Sequence, residues 1–239
     1  MDKSMIGRHN ENIAKSTARI IEGGSWKKQR VVMLIPAGEM IPTKIYLNHC
    51  SLIFPPNQPA YRLATEDLEV GEAFSTSIQS ILDHPEFSKW EFLLTIEHDN
   101  LAPSDGIVKL IKRMEEHKEF SAISGLYWTK GEGGVPQIWG DVKDPIPNYR
   151  PQPPDPTGGL VECYGIGMGF ALWRLSMFKD EKLRRPWFKT VADNTGVGTQ
   201  DLYFSSDARK YGYRFAVDCS VLVGHYDHVG MFGPKGMIW

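Results

Sequence analysis

The sequence is poor in cysteine and lacks any long apolar run. Its 239 residues include three cysteines, Cys50, Cys163 and Cys219, which form no C-x-x-C pair. An odd number of widely spaced cysteines does not make a disulfide framework, so we predict reduced thiols in a reducing compartment. No stretch approaches the roughly 20 apolar residues that a membrane span needs, and residues 1–16 do not resemble a secretory signal. We therefore expect a cytoplasmic protein without a membrane span.

The sequence also lacks an excess of charge of either sign. Its formal net charge is −2, so no overall field draws the chain towards nucleic acid or an anionic membrane. The length suits one α/β domain at residues 29–239, preceded by an N-terminal arm at residues 1–28. The arm carries a weak helical stripe that ends at Gly23 and Gly24. It offers a surface for packing on the domain or for a homo-oligomer, and a partly ordered tail is the alternative.

Two common active-site motifs are absent. No G-x-G-x-x-G follows the first predicted strand, which argues against dinucleotide binding. No G-x-S-x-G occurs, which argues against a serine hydrolase. The first strand instead runs into residues 36–44, PAGEMIPTK, which lack the glycine-rich basic loop expected of a nucleotidyltransferase.

The apolar residues follow a strand–helix–strand pattern. Short continuous apolar runs predict buried strands at residues 31–35, 90–96, 121–127 and 213–223. Helical periodicity and capping residues predict helices at residues 67–83, from about residue 104, and at residues 199–211. Residues 160–178 fit a strand, a tight turn and a second strand or helix start. This order predicts an α/β fold with a mostly parallel sheet sandwiched between helices.

A proline-rich stretch lies in the middle of the chain. Six of the sixteen prolines fall between Asp144 and Pro156, so this stretch forms neither a helix nor a central strand. It is predicted to be a long loop, either a functional lid or a stiff surface excursion.

An acidic segment follows the second predicted strand. In Glu97-His98-Asp99 the two carboxylates point the same way, because side chains alternate along an extended chain. Ligands of α/β sheets collect at the carboxyl ends of strands. Two converging carboxylates with an imidazole nearby suit Mn²⁺ or Mg²⁺. The alternative is an ordinary strand exit with a turn at Asp99-Asn100.

Two further residues stand at the ends of predicted elements. Asp201 falls in the first turn of a predicted helix, where the helix dipole favours its ionised form and lets it accept a hydroxyl proton. Acidic residues also occupy first turns for capping alone. His225 follows the last strand, where a neutral imidazole would make a third metal ligand. His228 competes for that role, and a structural histidine is the alternative.

Taken in chain order, these segments resemble the family 2-like glycosyltransferases with the GT-A fold. The resemblance covers about residues 30–228. It is carried, in order, by the strand ending at Pro36, Glu97-His98-Asp99, the segment YGIGMGFALWR, the PWF at 186–188, the helix start GTQDLYF and the strand exit SVLVGH.

The resemblance implies a role for each matching residue. It implies a UDP- or GDP-linked sugar donor bound by Pro36, Ala37, Gly38, Glu39, His98, Gly167, Gly169 and Trp187. It implies Mn²⁺ or Mg²⁺ held by Glu97, Asp99 and His225, although Glu97 stands where the D-x-D motif has Asp. Asp201 matches the catalytic base of inverting members.

Other departures from the family leave alternatives open. Gln200 stands where relatives carry a Glu that contacts the acceptor. Ser75-Thr76 stands where many relatives carry Arg-Asn, so a donor-phosphate contact is expected from elsewhere, from Arg184 or Arg185. A nucleotide-sugar hydrolase and a non-catalytic carbohydrate-binding or assembly protein remain alternatives. The sequence does not specify the donor sugar, the acceptor or the stereochemistry.

Overall fold

The structure is a computed structural model that describes residues 29–56, 58–131, 133–193, 196–227, 230–233 and 236–238. The predicted arm at residues 1–28 and His228 lie outside the described residues. The described strands are β1 (Val31–Ala37), β2 (Ala60–Glu66), β3 (Phe92–Ile96), β4 (Asn100–Leu101), β5 (Ala122–Leu126), β6 (Ile138–Asp141), β7 (Leu160–Ile166), β8 (Phe170–Arg174), β9 (Val191–Asp193), β10 (Gly196–Gly198), β11 (Phe215–Leu222), β12 (Gly224–Asp227), β13 (Gly230–Gly233) and β14 (Gly236–Ile238). The described α-helices are α1 (Thr43–Cys50), α2 (Val70–Asp83), α3 (Gly106–Glu116) and α4 (Gln200–Ala208).

Eight of these strands form one large sheet. Its strand order is β2-β1-β3-β8-β5-β11-β7-β6. Strands β2, β1, β3, β5 and β11 run in the same direction, because β8 is antiparallel to both of its neighbours. The predicted α/β fold with a mostly parallel sheet is confirmed. Strands β7 and β8 run in the opposite direction, and β6, which pairs antiparallel with β7, runs with the majority; all three come from the glycine- and proline-rich middle of the chain.

Each face of the sheet has its own core, because side chains alternate along a strand. Val32 and Leu34 of β1 lie in the core that α2 and α4 cover. Val31 and Met33 lie in the core that α3 covers. The continuous apolar run that predicted β1 therefore reflects burial on both faces.

Two smaller sheets lie beside the large one. One pairs β9 with β10, and the other has the order β14-β13-β12-β4. In the second, β12 is antiparallel to β4, which places His225 opposite Asn100. The backbone N–H of Tyr226 also donates to the carbonyl oxygen of Asp99 over 2.7 Å. This pairing brings the chain that leaves β11 beside the chain that leaves β3.

The proline-rich loop covers the outer edge of β6. The backbone N–H of Gly140 donates to Arg150 O, and that of Gln152 donates to Ile138 O, each over 2.8 Å. The loop therefore packs as a stiff edge cover, which matches the surface excursion better than the lid.

The remaining predicted elements differ from the structure at their ends. The helix predicted at residues 199–211 is α4 followed by a 3-10 turn at Arg209–Tyr211, and Gly212 ends it with a φ of 83°.

Among the described residues, no helix has both the length and the apolar character needed to cross a bilayer. The cytoplasmic location stays a prediction.

An aromatic cluster fixes α4 against the sheet, which leads to a first test. Phe204 of α4 is fully buried, with its ring centroid 4.6 Å from that of Phe188 and 5.6 Å from that of Trp173. We expect Phe204→Ala to lower the free energy of unfolding by about 3–5 kcal/mol, because it leaves a cavity. Urea denaturation measures this change. The control Tyr211→Ala, at a residue 47% exposed, should cost no more than about 0.5 kcal/mol. Equal losses in the two variants would contradict the prediction.

Candidate functional site

The site lies where several strands of the large sheet end. Because β1 and β3 are parallel, Pro36-Ala37-Gly38 and Glu97-His98-Asp99 leave the sheet at the same edge. The pairing of β4 with β12 adds His225 to that edge. The structure therefore brings together residues separated by more than a hundred positions in the chain.

Asp99 and His225 are in direct contact. His225 Nε2 lies 3.5 Å from Asp99 Oδ2. His225 Nδ1 lies 2.7 Å from the carbonyl oxygen of Trp128. A carbonyl oxygen only accepts, so Nδ1 carries a proton and Nε2 is the nitrogen turned to the carboxylate. Histidines that bind metals are held in the same way, by a backbone carbonyl on the far nitrogen.

The carboxylate of Asp99 is strongly biased towards its charged form. Lys130 Nζ lies 2.5 Å from Asp99 Oδ2, the same oxygen that faces His225. Burial alone raises the pKa of Asp99, but the hydrogen bonds from His225 and Lys130 outweigh it and hold that pKa well below its usual range. The other oxygen, Asp99 Oδ1, is buried and has no hydrogen-bond partner among the described residues.

The other two acids of the site have raised pKa values. Burial, followed by the charges of Asp99 and Asp201, raises the pKa of Glu97 to about 8, although Lys130 acts in the opposite direction. Burial also raises the pKa of Asp201. The Thr199 hydroxyl and the backbone N–H of Leu202 both donate to Asp201 Oδ1. Thr199 is the N-cap residue of α4, as predicted. Its hydroxyl makes no capping hydrogen bond with the helix backbone and donates to the Asp201 carboxylate instead.

A cleft of about 330 Å³ opens beside these residues. Its lining consists of Pro36, Ala37, Gly38, Asp67, Leu68, Val70, Glu97, His98, Asp99 and Gln200. Six of these were predicted donor or metal residues. The prediction had no role for Asp67, which follows the unpredicted strand β2 and has a positive φ of 59°. The volume is in the range of small-molecule sites.

Several predicted site residues lie elsewhere. Trp187 is 2% exposed and packs edge-on to Phe178 at 5.8 Å, so it has no free face for a sugar. Glu39 is exposed and does not line the cleft. The Arg184 guanidinium lies 3.4 Å from the ring centroid of Tyr203, and Arg185 donates to Gln79 over 2.8 Å. Neither arginine lines the cleft, which corrects the expected phosphate contact.

The two glycines predicted to approach the substrate instead make room for the protein itself. A side chain at Gly167 would overlap the Tyr127 hydroxyl. A Cβ at Gly169 would lie 2.5 Å from Asn100 Oδ1 and 2.7 Å from Tyr127 Cζ. The backbone N–H of Gly169 donates to the Tyr127 hydroxyl over 2.8 Å. The Tyr127 ring then packs edge-on to His225, with centroids 5.6 Å apart.

A divalent cation fits part of the predicted ligand set. Within the described part of the chain, no three His, Cys, Asp or Glu side chains converge as metal ligands, so Glu97 does not complete a preformed trio. Asp99 and His225 do form a pair, with Asp99 Oδ1 unpartnered among the described residues and Nε2 turned to the carboxylate. Mg²⁺ is commonly held by one or two side chains together with substrate phosphates. The pair therefore supplies only part of the ligand set of such a cation.

Lys130 is a further residue of the site that the sequence did not reveal. It lies in the turn between Trp128 and Pro136, far from any predicted motif. Lys130 follows shortly after the strand predicted at residues 121–127. A position just beyond the carboxyl end of a strand was the signal that could have marked it as a site residue.

The chain has a mixed α/β fold that is consistent with a GT-A-like fold, with an acidic cleft at the carboxyl edge of its large sheet. Among solved structures, the chain is similar to the crystal structure of A197 from STIV, with a TM-score of 0.59 and 17% sequence identity. The match covers 87% of this chain and 91% of that chain. At this identity the likeness shows the fold alone. No protein-family model matches the chain, and no curated protein matches it in sequence.

The packing of Gly169 gives a test of the site's support. We expect Gly169→Ala to lower the free energy of unfolding by about 1–3 kcal/mol, because the added methyl group forces Asn100 and Tyr127 to move. The matched control is Gly38→Ala, since a Cβ at Gly38 meets nothing within 4 Å. Urea denaturation should show a change of no more than about 0.5 kcal/mol for the control. Similar stabilities for both variants would contradict the assigned packing role.

Proposed function

We propose that the chain is a glycosyltransferase that moves a sugar from a UDP- or GDP-linked donor to an acceptor hydroxyl, with Mn²⁺ or Mg²⁺ as its cofactor. The observation that carries this proposal is the 3.5 Å contact of Asp99 with His225 beside the cleft. Ligands of open α/β sheets bind at this edge, where successive strands end.

The wall formed by the end of β1 is suited to the nucleotide. Pro36, Ala37 and Gly38 line the cleft and present backbone and small side chains. A Cβ at Gly38 would meet nothing within 4 Å, so the chain there is open to a ligand. Leu68 adds an apolar surface for a base, and Asp67 adds an acceptor for ribose hydroxyls.

Asp99 and His225 would hold the metal, with the donor diphosphate as the remaining ligand. When bound, the metal offsets the negative charge that develops on the leaving diphosphate. His225 contributes Nε2, because Trp128 fixes the proton on Nδ1. Asp99 contributes Oδ2, the oxygen that faces His225 Nε2. Glu97 and His98 line the cleft next to this pair and are placed to contact the donor.

Asp201 would take the proton of the acceptor hydroxyl. Its raised pKa makes it a better proton acceptor than an exposed aspartate, which suits a general base. Thr199 and Leu202 hold one of its oxygens and so orient the carboxylate. Gln200 lines the cleft directly before it and is placed to contact the acceptor. A base that assists direct attack on the anomeric carbon predicts inversion.

Binding of nucleotides is the first test of this function. We expect UDP or GDP at about 100 times its Kd to raise the Tm by roughly 5–10 °C in the presence of Mn²⁺, and far less without it. Asp99→Ala and His225→Ala should each abolish the metal-dependent part of the shift. A thermal-shift series with UDP, GDP, CDP and TDP measures both effects.

The control for this series is Asp83→Ala, at an exposed position at the end of α2. It should leave the nucleotide shift unchanged. A shift that persists in full in Asp99→Ala would overturn the metal assignment, and no shift with any nucleotide would overturn the function.

The role of Asp201 gives a second test. We expect Asp201→Asn to lower the transfer rate by about 10²–10⁴-fold, because the amide accepts no proton, while the nucleotide-dependent Tm shift remains. Transfer is measured with radiolabelled UDP- and GDP-sugars against a panel of acceptors, with Asp83→Asn as the control. Donor breakdown at the same rate with and without acceptor would contradict transfer and indicate a hydrolase.

A further inference from the structure

A lysine ammonium lies at the place where the metal would approach Asp99. Lys130 Nζ is 2.5 Å from Asp99 Oδ2, and its side chain is 39% exposed, compared with 18% for Asp99. Among the described residues, the only other charged or titratable partner of this carboxylate oxygen is His225. The carboxylate is thus neutralised by a cation that belongs to the chain.

The turn that carries Lys130 is fixed at its base. The backbone N–H of Thr129 donates to Val135 O, and that of Val135 donates to the Thr129 hydroxyl oxygen, both over 2.9 Å. Trp128, at the start of this turn, also accepts from His225 Nδ1. The backbone therefore holds Lys130 over the site, while its partly exposed stem leaves the ammonium able to change partners.

The charges do not allow Lys130 and a divalent cation to lie against Asp99 together. Two cations sharing one carboxylate oxygen repel each other strongly in a partly buried site. A bound metal must therefore displace the ammonium. A diphosphate beside the metal supplies the negative charge that the displaced ammonium can contact.

We propose that Lys130 is an exchangeable counter-ion of Asp99 that makes metal binding conditional on the donor diphosphate. In the free protein the ammonium occupies the carboxylate and opposes the metal. When the diphosphate binds, the ammonium moves to its oxygens and the metal takes its place at Asp99. This inference rests on the proposed function, because it assigns the order in which that site is filled.

The exchange has a thermodynamic consequence. Because Lys130 opposes the metal alone but favours the metal with a diphosphate, each ligand must strengthen binding of the other by the same factor. Removing the ammonium should therefore raise the affinity for the metal alone and reduce the factor by which the diphosphate strengthens metal binding. A lysine that only stabilised the turn would change neither.

Electron paramagnetic resonance of free Mn²⁺ tests this directly in the whole chain. Mn²⁺ is titrated into the wild type, Lys130→Met and Lys130→Arg, with and without UDP, and in parallel with GDP. We expect Lys130→Met to bind Mn²⁺ alone about tenfold more tightly, and the strengthening of Mn²⁺ binding by the nucleotide to fall by about tenfold. Lys130→Arg should retain most of that coupling.

The matched control is Lys118→Met, an exposed lysine after α3 at the opposite edge of the sheet, which should behave as the wild type. Wild-type affinities and coupling in Lys130→Met, with Mn²⁺ binding still lost in Asp99→Ala, would overturn the role of Lys130 and leave the proposed function standing. Absence of Mn²⁺ binding in every variant, with either nucleotide, would overturn both.

Discussion

Repulsion among carboxylates is the constraint on which this edge of the sheet depends. Asp99 and Asp201 both act to raise the pKa of Glu97, although they come from different parts of the chain. Lys130 and His225 offset the charge of Asp99. The site is therefore a set of coupled charges, and a ligand that brings in charge of either sign changes the balance of all of them.

The rest of the fold fixes the positions of these charges. The pairing of β4 with β12 sets the distance between Asp99 and His225. The aromatic core under α4 fixes the helix start that carries Asp201. Tyr127 fills the space left by two glycines and packs against His225, so a buried tyrosine supports the imidazole from behind. Positioning of this kind is what a site needs when its groups lie on different elements.

The sequence predicts the parts of this molecule whose burial leaves a periodic pattern. Strands β1 and β3 are continuous apolar runs, and His225 could be placed near Asp99 because both follow buried strands. Helix α1 and strand β2 were missed because α1 buries only Ile45 and His49, and β2 is largely exposed. Neither leaves an apolar pattern.

Some site residues cannot be recognised from the sequence for a different reason. Trp187, Gly167 and Gly169 have the same residue types in a core as in a binding site, and only the three-dimensional packing shows that they serve the core. Lys130 reaches Asp99 across a gap of 31 positions through a turn whose direction depends on tertiary contacts. Local propensity carries no information about such a contact.

The proline-rich cover on β6 determines how this sheet can grow. Because Arg150 and Gln152 already pair with β6, that margin offers no row of vacant hydrogen-bonding groups to an incoming chain. Within the described residues, the opposite margin is β2, whose far side has no neighbouring strand. Among the described residues, extension of the large sheet by strand addition, from this chain or from a second copy, is open at this β2 margin, which exposes Arg62 and Glu66. For the large sheet of the described residues, growth by strand addition therefore has one open margin, and charged side chains lie along it.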